Sequence, residues 1–228
     1  MEINENSAEL IGALIGDGYT YRNNRKYQIG YVGHPVTDKE YFEYLKELIK
    51  KEWRKDPKIK FRERGLRMVI NSKEVCSFLL DELKIITGKE KSRDITIPSQ
   101  ILSDWSLTKS TIRGIFDTDG TVFAVKKPRV DQYPSIELTT ISERLAKQIK
   151  QILETQGFRV SKIWSFKQKS INLCYRFSLH GQRNLQKWLD LIGFSNPYKQ
   201  QRATSYIKMG GEGIEPPTPR ALTRNSTC

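Results

Sequence analysis

Few of the residue types that usually declare a chemistry are present in these 228 residues. The three cysteines, Cys76, Cys174 and Cys228, are odd in number and far apart. They build neither a disulfide framework nor a zinc site, and Cys76 and Cys174 read as ordinary small apolar residues. Only two histidines occur, His34 and His180, without metal-type spacing, and neither a Walker lysine loop nor a convincing serine-nucleophile motif accompanies them. No apolar run approaches the roughly 20 residues of a membrane helix. The polar opening MEINENSAEL lacks the basic flank and apolar centre of a signal peptide. An intracellular, cytoplasmic chain is expected. Acid is scarce beside base, with 26 Asp and Glu against 39 Lys and Arg and a net charge of +13. A surplus of that size suits a polyanion, nucleic acid before a membrane surface; the simpler account is a soluble basic surface. With 37% hydrophobic residues the chain can bury a real core, in one large or two small domains.

What the sequence does have is one segment made twice. LIGALIGDGY, residues 10–19, is an apolar run that stops on an acid and a glycine, and IRGIFDTDGT, residues 112–121, repeats it. After the first copy, YTYRNN and KYQIGYV alternate as strands do, and TDKEYFEYLKELIKKEW places Tyr41, Leu45, Leu48, Ile49 and Trp53 at helical spacing. Thr37 to Glu40 has the form of a capping box, which predicts a helix start there. KIKFRERGLRMVI predicts a hairpin turning near Gly65, and a short helix is expected from Ser72 to about Leu83. The second half follows the same order: TVFAVKK and SIELTTI as strands, a helix from Ser142 to Gln156, RVSKIWSF and INLCYRFSL as strands, then QRNLQKWLDLIGF. The third strand is expected at Lys58 in one half and Arg159 in the other, at nearly equal distance from Asp17 and Asp119. The reading is an α+β fold of two pseudo-symmetric αββαββα repeats, residues 1–84 and 103–208, each with an antiparallel sheet. Residues 85–102 form a polar linker broken by Pro98, and 209–228 a tail without periodicity that is expected to be disordered.

A buried helix ended by glycine is the simplest account of either copy. Four features weigh against it together: both copies end in Asp-Gly, both carry a glycine six positions before that last glycine, both head a repeat, and the chain is basic. Gly12 and Gly114 let two such helices cross with their backbones close, which sets Asp17 and Asp119 side by side. Like charges repel, so the pairing makes sense around divalent cations.

On these residues the sequence resembles the LAGLIDADG homing endonucleases. Leu10 to Gly18 and Ile112 to Gly120 lie on the family signature, loosely in the apolar letters and firmly at the packing glycine, the penultimate acid and the final glycine. The resemblance implies a monomeric, pseudo-symmetric enzyme that recognises a long asymmetric site in double-stranded DNA. It implies cutting of both strands with Mg2+ or Mn2+ to leave short 3′ overhangs. Asp17 and Asp119 carry over as the metal-binding acids. Asp117 matches the other acidic letter, but its counterpart is Ile15, so it is not expected to be essential. Paired metals held by carboxylates can activate water, neutralise the phosphate and assist the departing oxygen. Where relatives place a lysine or glutamine near the second-strand end, this chain has Gly33 and His34, then Thr139 and Thr140. His34 is the first candidate for positioning water, with Lys60 and Lys167 behind it; a hydrogen-bonded structural histidine is the other reading.

The strands suggest where DNA lies. Lys58, Lys60, Arg62 and Arg64 alternate with Ile59, Phe61 and Glu63, and Asn172, Arg176 and Ser178 alternate with Ile171, Leu173, Tyr175 and Phe177. Faces of this kind can read base edges in the major groove, whereas the plain alternative is a solvated sheet whose lysines discourage edge pairing. A site-specific endonuclease of the intron or free-standing type is expected, since the first motif begins within ten residues and leaves no room for a protein-splicing segment. An RNA maturase acting on intron RNA, or a DNA-binding regulator without cleavage, is the alternative on the same scaffold.

Overall fold

The computed structural model describes residues 1–62, 65–85, 93–128, 130–167 and 173–209. The first half runs α1 (Glu5–Asp17), β1 (Gly18–Asn23), β2 (Lys26–Gly33), α2 (Lys39–Trp53), β3 (Lys58–Arg62), β4 (Gly65–Asn71) and α3 (Lys73–Ser77), which continues as a π-helical turn over Phe78–Glu82. The second half runs α4 (Ser99–Leu102), α5 (Trp105–Thr118), β5 (Gly120–Lys127), β6 (Val130–Thr140), α6 (Glu143–Thr155), β7 (Trp164–Lys167), β8 (Leu173–His180), α7 (Gln182–Leu191) and α8 (Pro197–Met209). The fold is α+β, with two antiparallel four-stranded sheets ordered β1-β2-β4-β3 and β5-β6-β8-β7. The same permutation in both sheets makes the halves structural copies. Gly18 pairs with Tyr31 and Gly120 with Leu138, which fixes the equivalence of positions between them.

Alternation in the strands decides which face is buried. Ile29, Tyr31, Leu66, Met68 and Ile70 point to the core in the first sheet, and Val122, Ile136, Leu138, Phe177 and Leu179 in the second. Against these faces pack α2, through Tyr41, Phe42, Leu45 and Ile49, and α6, through Leu145, Ala146, Ile149 and Leu153. Between the halves stand α1 and α5, whose apolar residues belong to the same cluster.

Three local expectations are corrected. The capping box at Thr37 does not form. Residues 35–38 make a turn, closed by Asp38 N donating to His34 O, and α2 starts at Lys39 without a side-chain cap. A capping box does occur at α1, where the Asn4 side chain accepts from Ser7 N and Ser7 Oγ accepts from Asn4 N. The third strand of the second half begins at Trp164, not Arg159. The Asn184 side chain occupies both backbone groups of Arg159, and Ser161 exchanges bonds with Ser178, so only an isolated bridge from Val160 to Leu179 precedes the ladder. The segment read as a linker also does more than connect. Ile95, Ile97 and Ile101 are buried, with Ile97 held at both backbone groups by Gln148 and Ile95 O accepting from Ser142 Oγ.

Candidate metal centre and nucleic-acid face

Two helices that meet without side chains between them build the centre. A Cβ added to Gly12 would lie 2.1 Å from Thr111 O, and one added to Gly114 would lie 2.3 Å from Glu9 O. Only glycine fits at either crossing point. The contact is reinforced by Thr111 Oγ1, which donates to Ala8 O at 3.1 Å, and by Arg113, which donates twice to the fully buried Glu9 carboxylate. Burying that carboxylate is tolerable because the guanidinium faces it.

Asp17 ends α1 and Asp119 caps α5, so parallel approach of the helices delivers both acids to one place. Their carboxyl groups stand within hydrogen-bonding reach of each other. Removal from water raises both above the usual carboxylate range; for Asp119, which is raised well above it, the Asp17 charge adds to the effect. Such a pair costs free energy while both members are ionised, and a divalent cation between them relieves that cost. The residues therefore fit a hard cation with oxygen ligands. Among the described residues no third carboxylate, histidine or cysteine joins a metal-binding cluster. Two carboxylates with the remaining positions open to water and phosphate oxygens match what Mg2+ commonly accepts. Asp17 and Asp119 would hold the ion.

The structure adds a cation that the sequence reading missed. Lys199, on the first turn of α8, donates to the carbonyls of Phe116 at 2.8 Å, Asp117 at 2.8 Å and Thr118 at 3.1 Å. Those carbonyls end α5, with Asp117 O also accepting from Asn196, so the ammonium caps the helix that carries Asp119. Burial pushes the Lys199 ammonium below its ordinary value, while Asp117, Asp38, Asp119 and Asp17 all favour its charge. Asn196, fully buried, ties the neighbourhood together: its amide nitrogen donates to Asp38 Oδ1 and Asp117 O, and its amide oxygen accepts from Tyr198 N. The readable signal was Asn196-Pro197, a helix cap followed by a first-turn proline. No apolar stripe runs through PYKQQRATSYIKM to announce the helix behind it.

Asp117 is buried, and its Oδ2 accepts from Ser195 N at 2.9 Å while Oδ1 finds no partner among the described residues. It points away from the pair and into a structural contact with the α7–α8 connection. His34 is likewise engaged locally: its Nδ1 accepts from Val36 N and Thr37 N at 3.3 Å each. Both contacts turn Nδ1 toward the backbone of its own turn, as a hydrogen-bonded structural histidine does.

The outer sheet faces hold the remaining candidates. Lys58 and Lys60 share one face with Arg67, because Lys60 pairs with Arg67, which pairs with Val32, while the Arg62 side chain lies outside what the structure describes. Lys58, Lys60 and Arg67 are exposed. Tyr19 lies across the same face, its ring filling the space above Gly30. In the second sheet Arg176 aligns with Thr139 and Trp164 on the outer face, whereas Lys167 aligns with Leu173 on the opposite one. Ser178 is also on the outer face but only 6% exposed, and its Oγ donates to Glu137 Oε2. Arg64 and Asn172 lie outside the described residues.

Comparison with known proteins agrees with this architecture. Residues 107–193 match the model of a LAGLIDADG-like domain. The homing endonuclease I-DmoI, in complex with DNA and Ca, superposes with a TM-score of 0.61 at 18% identity, covering 88% of this chain and 96% of that one. I-WcaI, bound to its DNA recognition sequence, gives 0.57 at 14% identity, covering 91% and 88%. The N-terminal LAGLIDADG domain of WhiA gives 0.51 at 16% identity, covering 84% and 82%. These likenesses establish the fold. By sequence, the replication factor C small subunit of Methanocaldococcus jannaschii is 30% identical over 211 residues, and that of Thermococcus kodakarensis 26% over 213. Each alignment takes in 91% of this chain but only 10% and 22% of those much longer proteins.

Proposed function

The chain carries a LAGLIDADG-like domain within a two-repeat LAGLIDADG fold, and from that premise we propose that it is a site-specific DNA endonuclease acting as a monomer. One observation carries the reading. Two acids, each ending its own helix, converge between two sheets whose outer faces bear exposed Lys58, Lys60 and Arg67 and half-buried Arg176. Asp17 and Asp119 would hold Mg2+ or Mn2+, which would supply the Lewis acid for phosphodiester hydrolysis. This chain's own residues bring the acids together through Gly12 and Gly114, hold Asp119 on a helix end capped by Lys199, and present the duplex to the pair along the two sheets. The charge surplus draws in DNA from either side.

A regulator that binds DNA without cutting is the second reading. It is favoured by His34, just past the end of β2, whose Nδ1 accepts from the backbone of its own turn. The two readings separate on a supercoiled plasmid carrying the chain's own coding locus with the insertion removed, incubated with Mg2+ or Mn2+. Linear product from the parent, and none from Asp17→Asn, supports the endonuclease. Specific binding with neither nicking nor linearisation in either metal supports the regulator.

A further inference from the structure

The shared strand order allows the two outer faces to be compared position by position. Val32, one residue past the partner of Gly18, matches Thr139, one residue past the partner of Gly120. Arg67 pairs with Val32 and Arg176 with Thr139, so the two arginines occupy the same place in their sheets. Their surroundings differ completely. Beside Arg67 stands Lys60, and the position two residues before Val32 is Gly30, which bears no side chain. Beside Arg176 stands Trp164, and the position equivalent to Gly30 is Glu137.

Those differences act on the guanidinium. Arg176 Nε lies 3.1 Å from Glu137 Oε1 and donates to Thr139 Oγ1 at 3.3 Å, and its Cζ sits over the Phe166 ring, 4.5 Å from the centroid. Glu137 is itself fixed, because its Oε2 accepts from Ser178 Oγ at 3.0 Å. Held through Nε on one edge and by the ring on its face, the fork has no hydrogen-bond partner at its terminal nitrogens among the described residues, and the side chain remains 43% exposed. A pre-oriented fork is what bidentate contact with guanine O6 and N7 requires, and it loses little rotamer freedom on binding. Arg67 has no carboxylate partner among the described residues, and its lysine neighbour repels it toward solvent. Such an exposed cation suits phosphate.

We infer that the sheets divide the work of recognition: Arg176, positioned by Glu137, reads a guanine in one half of the site, while Arg67 with Lys60 binds phosphate in the other. The inference rests on the proposal that the chain binds specific DNA. Full-length parent, Arg176→Ala, Glu137→Gln and Arg67→Ala are each presented, in Ca2+, with a randomised duplex library, and bound sequences are counted at several salt concentrations. The parent should recover one consensus. Arg176→Ala should lower discrimination at a single G·C pair by about tenfold or more, and Glu137→Gln should weaken it at that same pair with the salt slope unchanged. Arg67→Ala should leave the consensus intact, weaken all sequences alike and reduce the salt slope by about one unit. If Arg176→Ala fails to fold, Arg176→Lys serves, since an ammonium cannot form the fork. Uniform weakening by the Arg176 variants, or a lost base preference in Arg67→Ala, overturns the division of labour and leaves the endonuclease reading standing. Recovery of no consensus by the parent overturns both.

Discussion

The Lys199 ammonium donates to the Asp117 carbonyl at 2.8 Å, two residues before the acid that would hold metal. With Phe116 O and Thr118 O also engaged, all three of its N–H groups are spent on the end of α5, so Lys199 acts on the centre through the backbone and by its charge. Lys199→Met should take the ammonium away from those carbonyls, of which Asp117 O keeps its bond from Asn196, at a cost of about 1–3 kcal/mol. For a chain of this length that is a fall in Tm of roughly 2–10 °C. Calorimetric titration with Ca2+ should also show weaker binding, because Asp119 no longer sits on a capped helix end. Unchanged Ca2+ affinity would reduce Lys199 to a fold-stabilising contact.

Asp17→Asn and Asp119→Asn should each lower double-strand cleavage by on the order of a thousandfold, since the charge that holds the ion is halved while the sheet faces are untouched. Gel-shift affinity for the target should stay within a few fold of the parent. Because ionised Asp17 raises the Asp119 carboxyl, either change should also raise the melting temperature when no divalent ion is present. Cleavage by either variant at the parental rate would remove the pair from the reaction.

Gly12→Leu and Gly114→Leu are predicted to fail in folding before they fail in chemistry. The first atom of the new side chain meets backbone, Thr111 O or Glu9 O, which cannot rotate aside. Overpacking of this kind costs about 1–3 kcal/mol or more, and even Gly12→Ala should lower Tm by several degrees. Differential scanning calorimetry settles the matter; melting at the parental temperature would mean the helices separate without penalty.

Much of this was legible in the sequence because the information there is local or repeated. Paired motifs gave the two-helix centre, alternation gave the strands, and a repeated order gave the pseudo-symmetry. What escaped depends on partners distant in the chain. Lys199 acquires its role from carbonyls about 80 residues earlier, and no spacing rule connects them. Glu137 looked unremarkable until register set it beside Arg176 and Ser178. Arg159 lost its place in a strand to Asn184, a competition between a side chain and a ladder that periodicity does not record. Ser178 alternates like a base-reading residue, yet its hydroxyl turns to Glu137.

Asp117 offers a prediction with a defined pH window. Burial raises its carboxyl to about 7, despite bonds from Ser195 N and the Lys199 charge that work the other way. In the unfolded chain the same group titrates near 4. Folding therefore takes up a proton between those values, and the stability Asp117 allows is fully present at low pH and lost as pH rises toward 7. Asparagine resembles the protonated acid, can still accept from Ser195 N, and never ionises. Asp117→Asn should melt with the parent below about pH 4, then become progressively more stable than it up to about pH 7, with the gap constant above that. Cleavage should persist, since the counterpart of Asp117 in the first repeat is Ile15. Melting curves of both proteins from about pH 3.5 to 8 in the absence of divalent ions provide the test. A gap that does not change with pH would show that Asp117 is ionised throughout, and a gap that reverses sign would show that its charge is needed to hold Lys199 in place.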